Sequence, residues 1–166
     1  MLRFASACFV LACTTAAAAQ AAETAEARLV DPKGAAIGQA TVEAVPGGIL
    51  LHVKVEDLPP GAHGMHLHAV GACTPDFKAA AGHVNTHGAE HGLRNPKGPE
   101  AGDLPNLYVG ADGRAEAEFH STLTTLDALL DADGSAVVIH ANPDDHMSQP
   151  IGGSGDRIAC GVLKRG

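Results

Sequence analysis

Three segments of this 166-residue chain, residues 39–44, 51–56 and 114–120, alternate apolar and polar side chains with a period of two. Successive side chains of a strand point to opposite faces, so this period predicts strands with one face in a core and the other in water. No long amphipathic helix is present in the pattern; residues 123–130 are at most a short turn or helix. Turn-forming sequences separate the segments, at residues 31–34, 45–48, 59–61 and 112–113. The pattern predicts an antiparallel β-sandwich or barrel.

Two stretches, residues 73–106 and 142–157, interrupt the strand pattern and are rich in Gly, Pro and polar residues. Loops of this length in a compact domain are usually functional or disordered. Histidines are concentrated in the first stretch, and Arg157 closes the second. We therefore expect two functional loops rather than disordered linkers.

The N-terminus has the pattern of a secretory signal peptide. A positive charge at Arg3 precedes an apolar run and a small-residue cleavage site at residues 19–21. A membrane-spanning helix needs about 20 apolar residues, and this run is shorter. We expect a signal peptide at residues 1–21 and a single exported domain at 22–166, in the periplasm or outside the cell. The minority alternative is a lipid anchor at Cys13, against which the bulky Leu11 argues.

Signal removal leaves Cys73 and Cys160 as the only cysteines of the mature protein. Two cysteines in an exported chain usually pair, whereas the alternative is two buried free thiols. A bridge closing so long a loop stabilises a domain by about 4 to 5 kcal/mol in the chain-entropy model.

The formal net charge of -8 argues against nucleic acid or an anionic membrane surface as a partner. Net charge does not set the local field, however, because a few positive groups in a cleft can attract an anion there. The length fits one domain. The sequence is compatible with a monomer or a homodimer.

A first group of metal-ligand candidates comes from two strands. His66 and His68 are two residues apart, so on a strand they share a face, while Met65 and Leu67 face the core. His140 follows the apolar run 136–139 and can add a third imidazole from another strand. Imidazoles suit copper in a site with one open face.

The chain resembles the copper,zinc superoxide dismutases, specifically the exported bacterial type. The matching stretches are residues 61–73, 81–85, 91–92, 101–107, 137–145 and 152–162. The resemblance implies an all-β fold, an eight-stranded antiparallel Greek-key β-barrel with two long functional loops. It also implies a disulfide between Cys73 and Cys160.

Carried over by position, the resemblance implies two metal sites. Copper would be bound by His66, His68, His83 and His140, and His83 would bridge to a zinc ion held also by His91 and Asp103. Asp144 would link His66 to His91 from outside the ligand set, and Arg157 would guide superoxide to the copper.

The implied activity is the conversion of superoxide to dioxygen and hydrogen peroxide at the copper site. His83 is the candidate to hold a proton during this reaction, and Arg157 attracts and aligns the anion. The non-enzymatic alternative is a copper-buffering or copper-delivery module on the same fold. Such a module has no need of Arg157 beside an open copper face, so this residue favours catalysis.

Glu100 departs from the pattern because it stands where the family has a third zinc-binding histidine. Glutamate can bind zinc through oxygen, so Glu100 is a candidate fourth ligand of a weakened site. Alternatively, its side chain faces water, as loop glutamates usually do. His87 is a possible substitute ligand, although it fits better as a solvated loop histidine. If the zinc site has decayed, the protein is a copper-only dismutase.

Overall fold

The structure is a computed structural model that describes residues 23–166, so the predicted signal peptide and Cys13 lie outside the described residues. The regular secondary structure of these residues is almost entirely antiparallel β-strand. Its strands are Thr24–Val30 (β1), Ala36–Val45 (β2), Gly48–Val55 (β3), Gly61–His63 (β4), Met65–His68 (β5), Leu107–Val109 (β6), Ala115–Ser121 (β7), Ala136–His140 (β8), Arg157–Val162 (β9) and Lys164–Arg165 (β10). The helices are a 3₁₀ turn, Phe77–Ala80, and a single α-helical turn, Leu126–Leu129 (α1).

The strands form a curled sheet in the order β5-β8-β9-β1-β2-β3-β7, with β10 also on β1, and β4 pairs with β6. From β3, which is next to last in this order, the chain crosses to β5 at the opposite end. It then returns to place β7 beside β3 as the last strand, which is a Greek-key connection. Single residues, Gly64 and Leu163, separate β4 from β5 and β9 from β10. Counting each of these pairs as one interrupted strand gives the predicted eight strands, and the predicted Greek-key barrel is confirmed.

The core is aliphatic and follows the predicted alternation. Val42, Leu51 and Val53 are fully buried, whereas Lys54 and Glu56, at the alternate positions of the predicted segment 51–56, are exposed. Leu67 and Ile139 fill the same core from the strands that carry the predicted ligands. Helix α1 lies within the segment where a short helix was expected, and the side chain of Thr125 caps it.

Strand β8 departs from alternation because it is buried on both faces. Val137 and Ile139 face the barrel core, and Ala136 and Val138 join a second cluster with Ala80 and the disulfide. Cys73 and Cys160 are bonded, so the predicted bridge is present, and it ties the first long loop to β9. A continuous apolar run is what a strand covered on both sides requires.

Within residues 23–166, none of the helices is long and apolar enough to cross a membrane. Both long loops pack on the outer wall of the barrel at β5 and β8, as the hydrogen bonds and side-chain clusters below show.

Candidate metal centre

Strand β5 presents Met65 and Leu67 to the core and His66 and His68 to the opposite side. All four side chains are nevertheless fully buried, since the first long loop covers the outer side. The backbones of His66 and Asp103 form an isolated antiparallel β-bridge, and those of His68 and His83 form another. The loop is thus added to the edge of β5 almost as a further strand, which brings its ligand candidates to the two histidines.

Gly102 permits this close approach. Its backbone N–H donates to the Val84 carbonyl at 2.8 Å, and its own carbonyl accepts from the N–H of Leu67 at 2.9 Å. A side chain at position 102 would place its first carbon 2.2 Å from the Leu67 carbonyl oxygen. Only glycine fits there without moving the loop, and with it Asp103, away from β5.

Four histidines form the first cluster, which we call the four-histidine cluster. It consists of His66, His68, His83 and His140, all buried, with one ring nitrogen of each within 4.8 Å of the others. They come from β5, the first loop and the end of β8. The fold therefore brings together all the residues that the resemblance implied for copper.

Each of these imidazoles has one nitrogen in a hydrogen bond and one without a partner. The bonded nitrogens donate to Asp144 Oδ2 from His66 (2.8 Å), to the Ala81 carbonyl from His68 (2.9 Å), to Glu100 Oε2 from His83 (2.7 Å) and to the Gly155 carbonyl from His140 (3.1 Å). The remaining nitrogens are His66 Nδ1, His68 Nε2, His83 Nε2 and His140 Nε2, which are buried and unpaired. Buried polar atoms are seldom left unpaired, and converging imidazole lone pairs suit a copper ion. This donor set therefore fits copper.

Three of the four histidines are held neutral. Burial lowers the pKa of His66 to about 4, although the hydrogen bond to Asp144 opposes the shift. Burial also lowers the pKa of His68 to about 2 and that of His140 to about 4. These rings consequently offer a lone pair at neutral pH without first losing a proton.

A second cluster, which we call the mixed cluster, combines two histidines and two carboxylates: His83, His91, Asp103 and Glu100. His91 Nδ1 lies 2.7 Å from Asp103 Oδ1, and His83 Nδ1 lies 3.4 Å from the same oxygen. Glu100 Oε2 lies 2.7 Å from His83 Nδ1 and 3.7 Å from His91 Nδ1. Two nitrogens and two carboxylate oxygens at these separations make a donor set that fits zinc.

Glu100 faces this cluster rather than water. Its side chain is 16% exposed. Its second oxygen, Oε1, accepts a hydrogen bond from Asn85 Nδ2 at 3.0 Å, so both carboxylate oxygens have partners. The side chain of Glu100 therefore points into the cluster instead of into solvent. His87 is exposed and joins neither cluster, in agreement with a solvated loop histidine.

His66 also approaches the mixed cluster, with a ring nitrogen within 4.8 Å of the ligand atoms of His83, His91 and Asp103. Both of its nitrogens have other roles, however: Nε2 bonds Asp144 and Nδ1 belongs to the four-histidine cluster. Glu100 Oε2, by contrast, has no role in the four-histidine cluster and lies 2.7 Å from His83 Nδ1, where it is available as a fourth donor.

The two histidines of the mixed cluster have raised pKa values, unlike the other three histidines of the four-histidine cluster. Burial lowers the pKa of His91, but hydrogen bonds to Asp103 and Asp144 outweigh it and raise the pKa to about 10. Burial likewise acts against protonation of His83, yet its bonds to Asp103 and Glu100 raise the pKa above the ordinary value. Without a metal, this cluster holds protons at the positions where a cation fits.

Asp144 joins the two clusters. Its buried carboxylate accepts from His66 Nε2 at 2.8 Å and from His91 Nε2 at 3.2 Å. Gly152 makes room for it, with a left-handed φ of 60° and no space for a side-chain carbon, which would lie 1.6 Å from Asp144 Oδ1. The predicted link between one residue of each cluster is thus present in the hydrogen bonds.

Arg157 begins β9 and lies opposite His140 in the pairing of β8 with β9. Its guanidinium donates to the carbonyls of Phe77 (2.5 Å) and Ala81 (2.6 Å) in the first loop. These bonds engage two of its five N–H groups and leave others free to meet an anion. The arginine is partly exposed, so its charge is accessible from solvent at the edge of the four-histidine cluster.

Sequence reasoning did not single out several supporting groups. Gln149 clamps the backbone of His91, with its side-chain amide accepting from the His91 N–H and donating to the His91 carbonyl. Asn85 orients Glu100, and the Ala81 carbonyl serves His68 and Arg157. Asn85 and Gln149 lie within the two Gly- and Pro-rich loops, and this position was the one sequence signal for their role. A backbone carbonyl such as that of Ala81 gives no sequence signal.

A Greek-key barrel that carries two adjacent clusters of buried metal-ligand side chains on its outer wall defines a class of metalloproteins with two neighbouring metal sites. The copper/zinc superoxide dismutase family matches residues 36–163 of this chain. The chain is 53% identical over 135 residues to a copper-zinc superoxide dismutase of Caulobacter vibrioides, covering 76% of this chain and 78% of the relative. It therefore belongs to the copper/zinc superoxide dismutase family.

Solved structures agree with this assignment. The copper/zinc superoxide dismutase from Brucella abortus superposes with a TM-score of 0.74 at 29% identity, covering 86% of this chain and all of that one (100%). A SOD-like protein from Bacillus subtilis superposes with a TM-score of 0.77 at 38% identity, covering 84% and 97%. The protein is an oxidoreductase, a superoxide dismutase whose cofactors are copper and zinc, and the copper-buffering alternative is not favoured.

Proposed function

We propose that the four-histidine cluster binds the copper ion and the mixed cluster the zinc ion, with His83 giving Nε2 to the first and Nδ1 to the second. The observation that carries the assignment is the set of unpaired, buried nitrogens, one on each copper-site histidine. When bound, copper supplies the alternating one-electron acceptor and donor that converts superoxide to dioxygen and hydrogen peroxide.

The protein's own contribution begins with Arg157. Its permanent charge attracts superoxide in a molecule whose net charge of -8 repels it. Superoxide dismutases are themselves a standard case of such electrostatic steering. The bonds to Phe77 and Ala81 hold the guanidinium beside the four-histidine cluster, so the anion is oriented as well as attracted.

His83 is the residue suited to handle a proton. Peroxide forms with the uptake of two protons, and the Nε2 atom of His83 faces the four-histidine cluster. In the metal-free protein the Glu100 and Asp103 carboxylates, which lie on the Nδ1 side of the ring, stabilise the protonated form and raise the pKa of His83. We therefore assign to His83 the role of holding a proton at Nε2 whenever that atom is not engaged by copper, and of giving this proton, one of the two required, to the product.

Glu100 is assigned as the fourth zinc ligand, supported by its orientation and by the Asn85 bond. Asp144 holds His66 and His91 in fixed orientations, as groups outside a ligand set generally do. The expectation that Glu100 weakens the zinc site remains a prediction.

We also propose that residues 1–21 are a cleaved signal peptide and that the mature domain acts in an exported compartment, periplasmic or extracellular. The sequence pattern and the Cys73–Cys160 disulfide support this location. Sequencing the N-terminus of the protein recovered from the periplasm or medium tests it. A lipid-modified Cys13 at the new N-terminus would instead favour an anchored protein.

The function is tested by measuring superoxide decay with the mature protein loaded with copper alone and with copper and zinc. We expect rapid dismutation in the two-metal form and a lower or less durable activity with copper alone. No activity in either form would contradict the assignment of the four-histidine cluster. Full, stable activity without zinc would favour the copper-only dismutase.

A further inference from the structure

His146 contacts both oxygens of the Asp144 carboxylate. Its backbone N–H donates to Asp144 Oδ1 at 2.6 Å, and its ring nitrogen Nδ1 lies 3.5 Å from Asp144 Oδ2. The same two oxygens accept from His91 and His66, respectively. One loop residue therefore touches the carboxylate on the sides that face both clusters.

The backbone of His146 makes this double contact possible. Its φ of 61° is in the left-handed region, which non-glycine residues adopt rarely and in which Asn, Asp and His are enriched. The turn folds the chain back so that the backbone N–H and the ring approach the same side chain. An uncommon conformation held beside a functional group is often part of how that group is positioned.

The proton position on His146 follows from its neighbour Asn106. The Asn106 side chain accepts from the Asp144 N–H at 2.8 Å and donates to the Asp144 carbonyl at 2.9 Å, which fixes its amide oxygen and nitrogen. The amide nitrogen also lies 3.3 Å from His146 Nε2. Because an amide nitrogen can only donate, Nε2 is the acceptor, and in the neutral ring the proton resides on Nδ1.

This assignment explains the buried Nδ1 atom of His146, which has no hydrogen-bond partner within the usual limits. Asp144 Oδ2, the oxygen that receives the His66 bond, lies 3.5 Å from this nitrogen. We expect a small rotation of either side chain to bring the two atoms within hydrogen-bond geometry. The contact then becomes a hydrogen bond to a buried carboxylate, which is stronger than a bond between neutral groups.

We propose that His146 is a positioning residue: its Nδ1–H, set by Asn106, restrains the Asp144 carboxylate so that Asp144 holds His66 and His91 together. The inference rests on the proposed linking role of Asp144. His146 acts through Asp144 and touches neither metal-ligand cluster directly.

The first test is nitrogen NMR of the reduced, copper- and zinc-loaded protein, which is diamagnetic. Long-range couplings of the His146 ring identify which nitrogen carries the proton. We expect the Nδ1–H form, and an Nε2–H ring would overturn the proposal. This measurement uses the unaltered protein and so does not depend on the folding of a variant.

The second test compares His146→Asn with His87→Asn in the reduced two-metal protein. Asn tolerates the left-handed backbone, so this change removes the ring with little loop strain. We expect an approximately tenfold increase in the zinc dissociation constant, at the low end of effects outside a ligand set. The exposed His87 is the matched control and should leave zinc affinity unchanged. Equal affinities in the two variants would overturn the proposal.

Two further measurements distinguish a positioning role of His146 from a general loss of stability in the variant, and from a failure of the linking role proposed for Asp144. In His146→Asn, the Nε2 proton resonances of His66 and His91 should shift, whereas the amide of Val53 in the core should not. Unshifted ring resonances would also count against the proposal. Asp144→Ala should release zinc more strongly than His146→Asn. If Asp144→Ala retains zinc like the unaltered protein, the linking role itself fails; if only His146→Asn does, the inference about His146 fails alone.

Discussion

His68 and Arg157 hydrogen-bond to the same backbone oxygen, the carbonyl of Ala81, at 2.9 and 2.6 Å. A ligand candidate and the group proposed to attract the substrate therefore share one acceptor. Ala81 itself has φ 61° and ψ -146°, a combination that is uncommon for a residue with a side chain. The orientation of this carbonyl thus couples the arginine to the four-histidine cluster.

Relief of the backbone strain at Ala81 should stabilise the protein. We expect Ala81→Gly to increase the free energy of unfolding by about 1 kcal/mol, because strain of this kind costs about 1 to 3 kcal/mol and added chain entropy offsets part of the gain. Ala79→Gly, within the 3₁₀ turn, is the control and should destabilise by about 0.5 to 1 kcal/mol. Denaturant unfolding with the disulfide intact measures both; equal destabilisation would refute the role of strain.

Removal of the Arg157 guanidinium should slow catalysis without releasing copper. We expect Arg157→Ala to lower the dismutation rate constant by about tenfold or more and to weaken its dependence on ionic strength, since steering by charge is screened by salt. The rate constant of Arg157→Lys should lie between those of the unaltered protein and Arg157→Ala. An ammonium keeps the charge but lacks the planar donors that reach both carbonyls. Rapid kinetics at several salt concentrations provides the comparison. A variant with full rate and unchanged copper content would contradict the guiding role.

The contribution of Glu100 is measurable through zinc affinity. Glu100→Ala should raise the zinc dissociation constant by more than the about 10- to 100-fold typical of groups outside the ligand set. Glu100→His installs the donor usual in the family and tests the expected weakening. Tighter zinc binding in this variant would confirm that Glu100 weakens the site, and unchanged or weaker binding would argue against it. Chelator competition gives both values.

The metal-free protein should be most stable close to pH 6.5. Burial lowers the pKa of His66 and of His140 to about 4, whereas a histidine of the unfolded chain has a pKa of about 6.5. Between about pH 4 and pH 6.5 the unfolded chain therefore binds more protons than the folded one. Stability therefore falls as the pH falls from about 6.5 towards 4. The raised pKa of His91, about 10, stabilises the folded state fully below about pH 6.5, and this stabilisation is lost as the pH rises towards 10.

Urea unfolding midpoints from pH 4 to pH 10 test this profile. Zinc should abolish the fall on the alkaline side, because the bound metal replaces the proton on His91. Midpoints of the metal-free protein that rise continuously up to pH 10 would contradict the protonation of His91.

Sequence reasoning predicted those features that depend on periodicity. Because side chains alternate along a strand, the common face of His66 and His68 followed from their spacing, and β5 confirms it. The positions of His83, His91 and Asp103 came from the resemblance, since loop residues carry no periodic signal. The orientation of Glu100 could not be predicted, because it depends on Asn85 reaching it across the folded loop. The role of Ala81 depends on a carbonyl, which every residue possesses.

The two faces of β5, one towards the core and one towards the loops, limit which substitutions and register shifts this strand can accept. Met65 and Leu67 fill the barrel interior while His66 and His68 face the other side. A slip of one residue in the pairing of β5 with β8 would exchange the two sets, with imidazoles in the hydrocarbon interior and the apolar pair under the polar loops. Two effects therefore disfavour a shifted register of β5: the free-energy cost of burying polar rings in the core, and the loss of metal binding. Substitutions that keep the register can repack the interior side independently of the redox chemistry outside it.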